Sequence, residues 1–233
     1  MTIMLTAIAL LAHTDSSDIS SYLQTNIEDL SFTVRVVQSD QSELAKVNKD
    51  FGASYRFEST KVKLKEPFML RLDSSVDNTA AEYIFNGSHR TILVRRAHIK
   101  LQENLQHSPG KRQTIFDFGL LTPSVFQSLY KAVYVRHDRA TGYPVFDVTY
   151  RSDDNSRSRI WIDPQRHIIW KREWYNQEGR QLATFLYERP AQIGGVWIPT
   201  RVTVKNTDDV IGGVTAYESI KVNSGLEDSI FKS

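Results

Sequence analysis

Residues 161–175 read WIDPQRHIIWKREWY, and the stretch holds three of the four tryptophans of the chain. It lies between two turn signals, Asp163-Pro164 and Asn176-Gln177-Glu178-Gly179. Aspartate bonds its own following backbone and proline presets the bend, so the first signal reverses the chain. Glycine supplies the positive φ that the second needs. Between them β-branched and aromatic residues predominate, as in a strand. Strict alternation then puts Ile168, Trp170, Arg172 and Trp174 on one face, and His167, Ile169, Lys171, Glu173 and Tyr175 on the other. The tryptophans side with an isoleucine and not with a row of cations. They read as a wall of an apolar hollow or as part of a closed core.

Outward from this hairpin the same grammar repeats. Strands are expected at 143–151, 157–163, 166–175, 180–189, 196–205 and 214–222, parted by Asp153-Asp154-Asn155, Asp163-Pro164, Glu178-Gly179, Pro190 with Gly194-Gly195, and Gly212-Gly213. Upstream, Phe32, Val34 and Val36 alternate with Thr33, Arg35 and Val37, Tyr55 and Phe57 with Arg56 and Glu58, and Phe68, Leu70 and Leu72 with Met69, Arg71 and Asp73. The run Tyr83 to Phe85 enters Asn86-Gly87, a strong hairpin signal, with a partner strand over 91–95 and another over 100–105. Helical spacing occurs twice. Over 16–30, Ile19, Tyr22, Leu23, Ile27 and Leu30 recur every three or four residues. Thr122-Pro123 opens the second helix, whose apolar face is Val125, Phe126, Leu129 and Val133. The polar gap at 38–50 reads as a loop or a short helix around 42–47. About ten successive antiparallel strands curl rather than stay flat, and two or three helices are too few to fill a wrapped barrel. The fold class expected is therefore mainly β: a curved antiparallel sheet, partly open, with a hollow face and a helical lid.

Composition narrows the function. The chain has 233 residues, 40% apolar and 24% charged, which is a globular composition. No apolar run approaches the roughly 18–20 residues of a spanning helix. Lys and Arg number 29 against 27 Asp and Glu, a net charge of only +2, so no strong basic field calls for nucleic acid. With no cysteine, thiol catalysis, thiolate metal sites, disulfides and an acylated N-terminal cysteine are excluded. Membrane contact would be transient and non-covalent. The run MTIMLTAIALLA at 1–12, followed by HTDSSD, reads either as a secretory signal without a basic start or as a short buried helix or strand.

Motifs for chemistry are absent. There is no nucleophile elbow, phosphate loop, dinucleotide fingerprint or H-E-x-x-H. His13, His89, His98, His107, His137 and His167 never fall at the spacing that aims two rings at one metal. Asp153-Asp154-Asn155 lacks the alternation and distant glutamate of a calcium loop and reads as a solvated turn. Arg151, Arg157, Arg159, Arg166, Lys171 and Arg172 cluster near the tryptophans, and a solvated convex face of mixed charge is the reading preferred to a nucleic-acid surface. No catalytic residue, metal ligand or cofactor is assigned.

Four pieces of the last third occur in a recognisable order: Trp161, Asp163 and Pro164; Gly179; Gly195, Trp197, Pro199 and Arg201; and Asn223, Gly225, Asp228 and Phe231. This order resembles the outer-membrane lipoprotein-sorting (LolA-like) superfamily, and SDISSYLQTNIEDLSFTVRVVQ, VKLKEPFMLRL and EYIFNGSHRTILV look like its front half. The resemblance implies an incomplete antiparallel barrel with a helical lid over an apolar concavity that binds acyl chains. In the dedicated carriers an arginine stands before the proline and helps hold the lid; here that place is Glu66, and a carboxylate cannot donate those hydrogen bonds.

The expectation is thus a segment 1–12, read as a signal or as a short buried element, and a single LolA-like domain over 13–233. The protein is expected to be a non-enzymatic, periplasmic or secreted carrier for lipid, a lipoprotein acyl chain or another amphiphile. The lining candidates are Tyr55, Phe57, Phe68, Leu70, Leu72, Ile168, Trp170 and Trp174, with Ile19, Tyr22 and Leu23 on the lid helix. The alternatives are an envelope protein-interaction or sensory domain on the same fold and, behind it, an enzyme acting on lipid or glycan.

Overall fold

The computed structural model describes residues 17–76, 79–152 and 155–232. The 1–12 segment and the Asp153-Asp154 turn lie outside the described residues. The strands are β1 (Asp29–Ser39), β2 (Ser59–Lys65), β3 (Met69–Val76), β4 (Thr79–Asn86), β5 (His89–Val94), β6 (Ile99–Asn104), β7 (Tyr130–His137), β8 (Pro144–Tyr150), β9 (Arg157–Asp163), β10 (Ile168–Tyr175), β11 (Gln181–Ile193), β12 (Val196–Lys205) and β13 (Ile211–Val222). The helices are short: α1 (Gln41–Val47), α2 (Lys49–Ser54) and α3 (Pro123–Ser128).

All thirteen strands form one sheet in the order β6-β5-β4-β3-β2-β1-β13-β12-β11-β10-β9-β8-β7. Two antiparallel meanders, β1–β6 and β7–β13, are zipped together where β1 pairs with β13, for example Val34 opposite Tyr217. The sheet does not close, because β6 and β7 are its two edges. This is the mainly β, curved and incomplete barrel that the turn spacing predicts.

The open topology sets the course of the rest. Residues 105–129 leave one edge of the sheet and must reach the other, and they do so across the concave side. There they bury Leu105, Ile115, Phe116, Phe118, Leu120, Leu121, Val125, Phe126 and Leu129 in the core. Burial of each large side chain contributes about 1.5–3 kcal/mol, so this crossing is packed as tightly as the sheet.

Several local expectations are corrected. The helix expected over 16–30 is a single 3₁₀ turn, Ile19–Tyr22. Leu30 already belongs to β1, paired with both Val222 and Leu64, and two-sided strand pairing overrides a weak helical spacing. Tyr55 and Phe57 are not in a strand; Tyr55 caps α2 and β2 begins at Ser59. The helix after Thr122 ends at Ser128, and Val133 lies in β7, 62% exposed. Gly212 and Gly213 sit inside β13 instead of in a turn. Finally, β10 carries a bulge between Ile169 and Lys171. One extra residue there breaks the strict alternation, so Ile169 is fully buried while Trp170 is 38% exposed.

Each cation of the basic cluster at 151–172 has a polar partner. Arg157 and Arg159 pair with Asp147, Arg166 with Asp163, Lys171 with Glu173 and Arg172 with Asp117. Arg151 donates to the Phe126 carbonyl at 2.7 Å.

Candidate functional site

The concave face, α2 and residues 110–118 together surround a hollow of about 1060 Å³. Its floor is Val34, Val202, Val204 and Tyr217 from the central strands. One wall is Leu72, Tyr83 and Phe85, and the facing wall is Trp174, Leu182 and Phe185. Register explains the first wall, since Val62, Leu72 and Tyr83 are direct cross-strand partners and so present side chains on one face.

The cover over one end is made by two capped helices. Asp40 accepts from the Ser42 and Glu43 N–H groups at 2.9 and 3.2 Å, opening α1. Asn48 accepts from Asp50 and Phe51 N–H at 2.9 and 3.0 Å, opening α2. Such caps contribute about 1 kcal/mol each. Gly212 and Gly213 form the socket beneath: a Cβ at Gly212 would come 3.1 Å from Leu44, and one at Gly213 would come 2.3 Å from the Tyr55 ring. Phe51 then reaches the far wall, with ring centroids 6.2 Å from Trp174 and 5.7 Å from Phe185.

The other end is filled by the chain itself. Phe118 packs edge-on against Phe32 at 5.2 Å and against Tyr217 at 6.1 Å. Gly119, at φ +86°, lets this crossing segment lie on Tyr187, where a Cβ would meet the ring at 2.5 Å. The protein's own aromatics therefore fill part of the concavity, and the hollow is what they leave.

Two polar features stand in this apolar setting. Arg172 is 8% exposed; its Nη1 donates to Asp117 Oδ1 at 3.0 Å, and its guanidinium lies 4.3 Å from the Phe185 centroid. Burial opposes its charge, but Tyr187 and the Asp117 carboxylate more than offset this and its pKa is raised. Asp117 is itself held by a capping box with Thr114. Glu66, between β2 and β3, accepts from Thr122 Oγ1 at 3.0 Å and from Ser124 Oγ. The place where the resemblance implies a donating arginine thus holds an acceptor that grips two hydroxyls on either side of Pro123. Burial raises the Glu66 carboxyl above its ordinary value, despite those two bonds.

Of the lining candidates, Tyr55, Phe57, Leu72 and Trp174 border the hollow. Leu70 is buried beneath the crossing segment, and Phe68 is stacked under the Arg112 guanidinium at 4.4 Å. Ile168 is buried beside Leu120, to which it is bridged. Trp170 stands away from the hollow and contacts Tyr143 at 5.7 Å. Tyr22 packs on Phe146, and Ile19 and Leu23 flank the same core, away from the lining of the hollow. Phe51, Arg112, Asp117 and Phe185 border the hollow and are not among the candidates. Among the described residues, no group of three His, Cys, Asp or Glu side chains converges on a metal-sized site, and no helix is long and apolar enough to cross a membrane.

An unclosed, curled antiparallel sheet with a helix-covered apolar hollow is the LolA-like fold. Solved structures bear this out. A LolA superfamily protein from Nitrosomonas europaea is similar with a TM-score of 0.62 at 15% identity, over 94% of this chain and 96% of that one. A domain named for outer-membrane lipoprotein sorting, from Vibrio parahaemolyticus, gives 0.61 at 13% identity, over 92% and 93%. A DUF1329 family protein from Desulfovibrio piger gives 0.53 at 10% identity, over 92% of each chain. A family described as "Uncharacterized protein" matches residues 114–233, just over half of the chain, and the chain belongs to that family. No protein of curated function matches the sequence.

Proposed function

We propose that this protein is a non-enzymatic binding or carrier protein for an amphiphile, working outside the cytoplasm. The single observation that carries the reading is the hollow of about 1060 Å³ lined by Leu72, Tyr83, Phe85, Trp174 and Phe185. That volume stands at the upper end of the range of small-molecule sites, about 300–1,000 Å³. Sequestering apolar carbon there contributes about 0.8 kcal/mol per methylene. Residues 13–233 are read as one domain, supported by the continuous sheet that joins first strand to last. Likeness to a domain named for outer-membrane lipoprotein sorting and the apolar start at 1–12 support an exported or periplasmic location. An acyl chain of a lipid or lipoprotein is the cargo this reading favours, with only transient membrane contact.

Trp174 makes the proposal measurable, because it is the tryptophan on the wall of the hollow. A brominated acyl lipid should quench its emission in the wild type, and Trp174→Phe should remove most of the quenching. Native mass spectrometry of the purified protein should show a co-purifying amphiphile. No quenching together with no bound mass would sink the reading.

A second reading, a protein-interaction domain, is favoured by one observation. Both sheet edges expose aliphatic side chains, Leu101 on β6 and Val133 on β7, and an unpaired edge can accept another strand. Recovery of one stoichiometric protein partner and no lipid would favour it over the first.

A further inference from the structure

We infer that the hollow selects amphiphiles with an anionic head, an oxyanion on an acyl chain, and that Arg112 receives that head. The inference rests on the binding reading above and names its ligand class.

The charge around the hollow is lopsided. Arg56, Arg90, Lys111, Arg112, Arg157 and Arg172 border it, against Asp50 and Asp117, with Arg157 paired to Asp147. Arg90 is answered by Glu103 and Arg172 by Asp117. Arg112 is different: it is half-buried and its guanidinium covers the Phe68 ring at 4.4 Å. Among the described residues no carboxylate pairs with it. Burial holds its pKa below the ordinary arginine value, which is the signature of a desolvated charge without a counter-ion. Burying a charge unpaired is costly, and a ligand oxyanion would relieve that cost while the stacked ring keeps the fork in place.

A second, independent observation points the same way. The Arg172 Nε is buried with no hydrogen-bond partner, on a residue more than nine-tenths buried beside the same hollow. Both arginines border the same hollow. The aromatic walls from Leu72 to Phe85 and from Trp174 to Phe185 remain for the chain.

Carboxylate and phosphate heads share this chemistry, and the probes separate them. Dibromostearic acid and its neutral counterpart, dibromostearyl alcohol, are titrated against Trp174 emission. The acid is expected to bind about tenfold or more tightly than the alcohol, the worth of a charge-assisted hydrogen bond. Arg112→Gln should bring the acid to the level of the alcohol and leave the alcohol unchanged, while Arg112→Lys should keep most of the preference. Circular dichroism and the urea midpoint check that each variant is folded. Displacement of the bound acid by lysophosphatidylglycerol but not by lysophosphatidylcholine would assign the head to a phospholipid, and failure of both to displace it would assign it to a free fatty acid. Equal binding of acid and alcohol by the wild type, or equal weakening of both by Arg112→Gln, overturns the inference and leaves the carrier reading standing. If neither probe quenches Trp174, the carrier reading falls and the inference with it.

Discussion

Arg172 and Asp117 meet at 3.0 Å across 55 positions of sequence, beside a hollow lined largely by aliphatic and aromatic side chains. The bond ties the segment that crosses the concave face to the wall strand β10. It also sets the guanidinium between Phe116 and Phe185, 5.5 and 4.3 Å from their centroids. A buried pair is weak evidence for net stability, but removing one partner is expensive.

Arg172→Met should therefore destabilise the protein by about 3–5 kcal/mol. The lower part of that range applies because Asp117 keeps its hydrogen bond from the Thr114 N–H. Adding Asp117→Asn should recover much of the loss. Urea unfolding midpoints at constant m-value check both variants.

Glu66 gives a pH dependence of defined sign. Its folded pKa is raised by burial, so above the ordinary value near 4.5 the native state binds more protons than the unfolded one and stability falls with rising pH. Glu66→Gln removes that titration and keeps an acceptor for Thr122. The variant should match the wild type in acid and gain on it as pH rises through the folded pKa. A thermal-melting series from pH 4 to pH 8 that shows a constant gap would contradict this.

Asp29 runs the opposite way. Burial would raise its carboxyl, but the backbone N–H groups of Leu226, Ser224 and Gly225 outweigh burial and hold it below its ordinary value. Its contribution is present above about pH 3.8 and is lost as pH falls through the folded pKa. Asp29→Asn should cost about 1–2 kcal/mol near neutrality, with the gap to the wild type closing in acid, as denaturant titrations at several pH values would show.

Gly213 is the most confined glycine of the cover. A Cβ there would stand 2.3 Å from the Tyr55 ring, so Gly213→Ala should push Tyr55 off its seat at about 1–3 kcal/mol. Because Phe51 links Tyr55 to Trp174, Trp174 emission should shift to the red. An unshifted spectrum would mean that α2 does not depend on this socket.

The architecture was legible because hairpins announce themselves locally: Asn86-Gly87, Asp163-Pro164 and Glu178-Gly179 each mark a reversal that the structure contains. What alternation could not reveal is long-range. The bulge after Ile169 turned Trp170 away from Trp174, and only pairing with β9 shows it. Leu30 looked helical until its two strand partners were in place. Arg172 was placed on the same face as Trp174, but its partner Asp117 comes from a crossing segment whose path depends on the sheet being open. Glu66 stands out as a departure, and its hydroxyl partners, Thr122 and Ser124, come from the start of α3 and the residue before it.

The seam between β1 and β13 joins residues such as Leu30 and Val222, almost two hundred positions apart. The floor of the hollow straddles that seam. The hollow therefore exists only once β13 has paired with β1, and closing so long a span is a slow step of folding. A chain short of its last strand has no floor to the hollow, and only the finished molecule has a container.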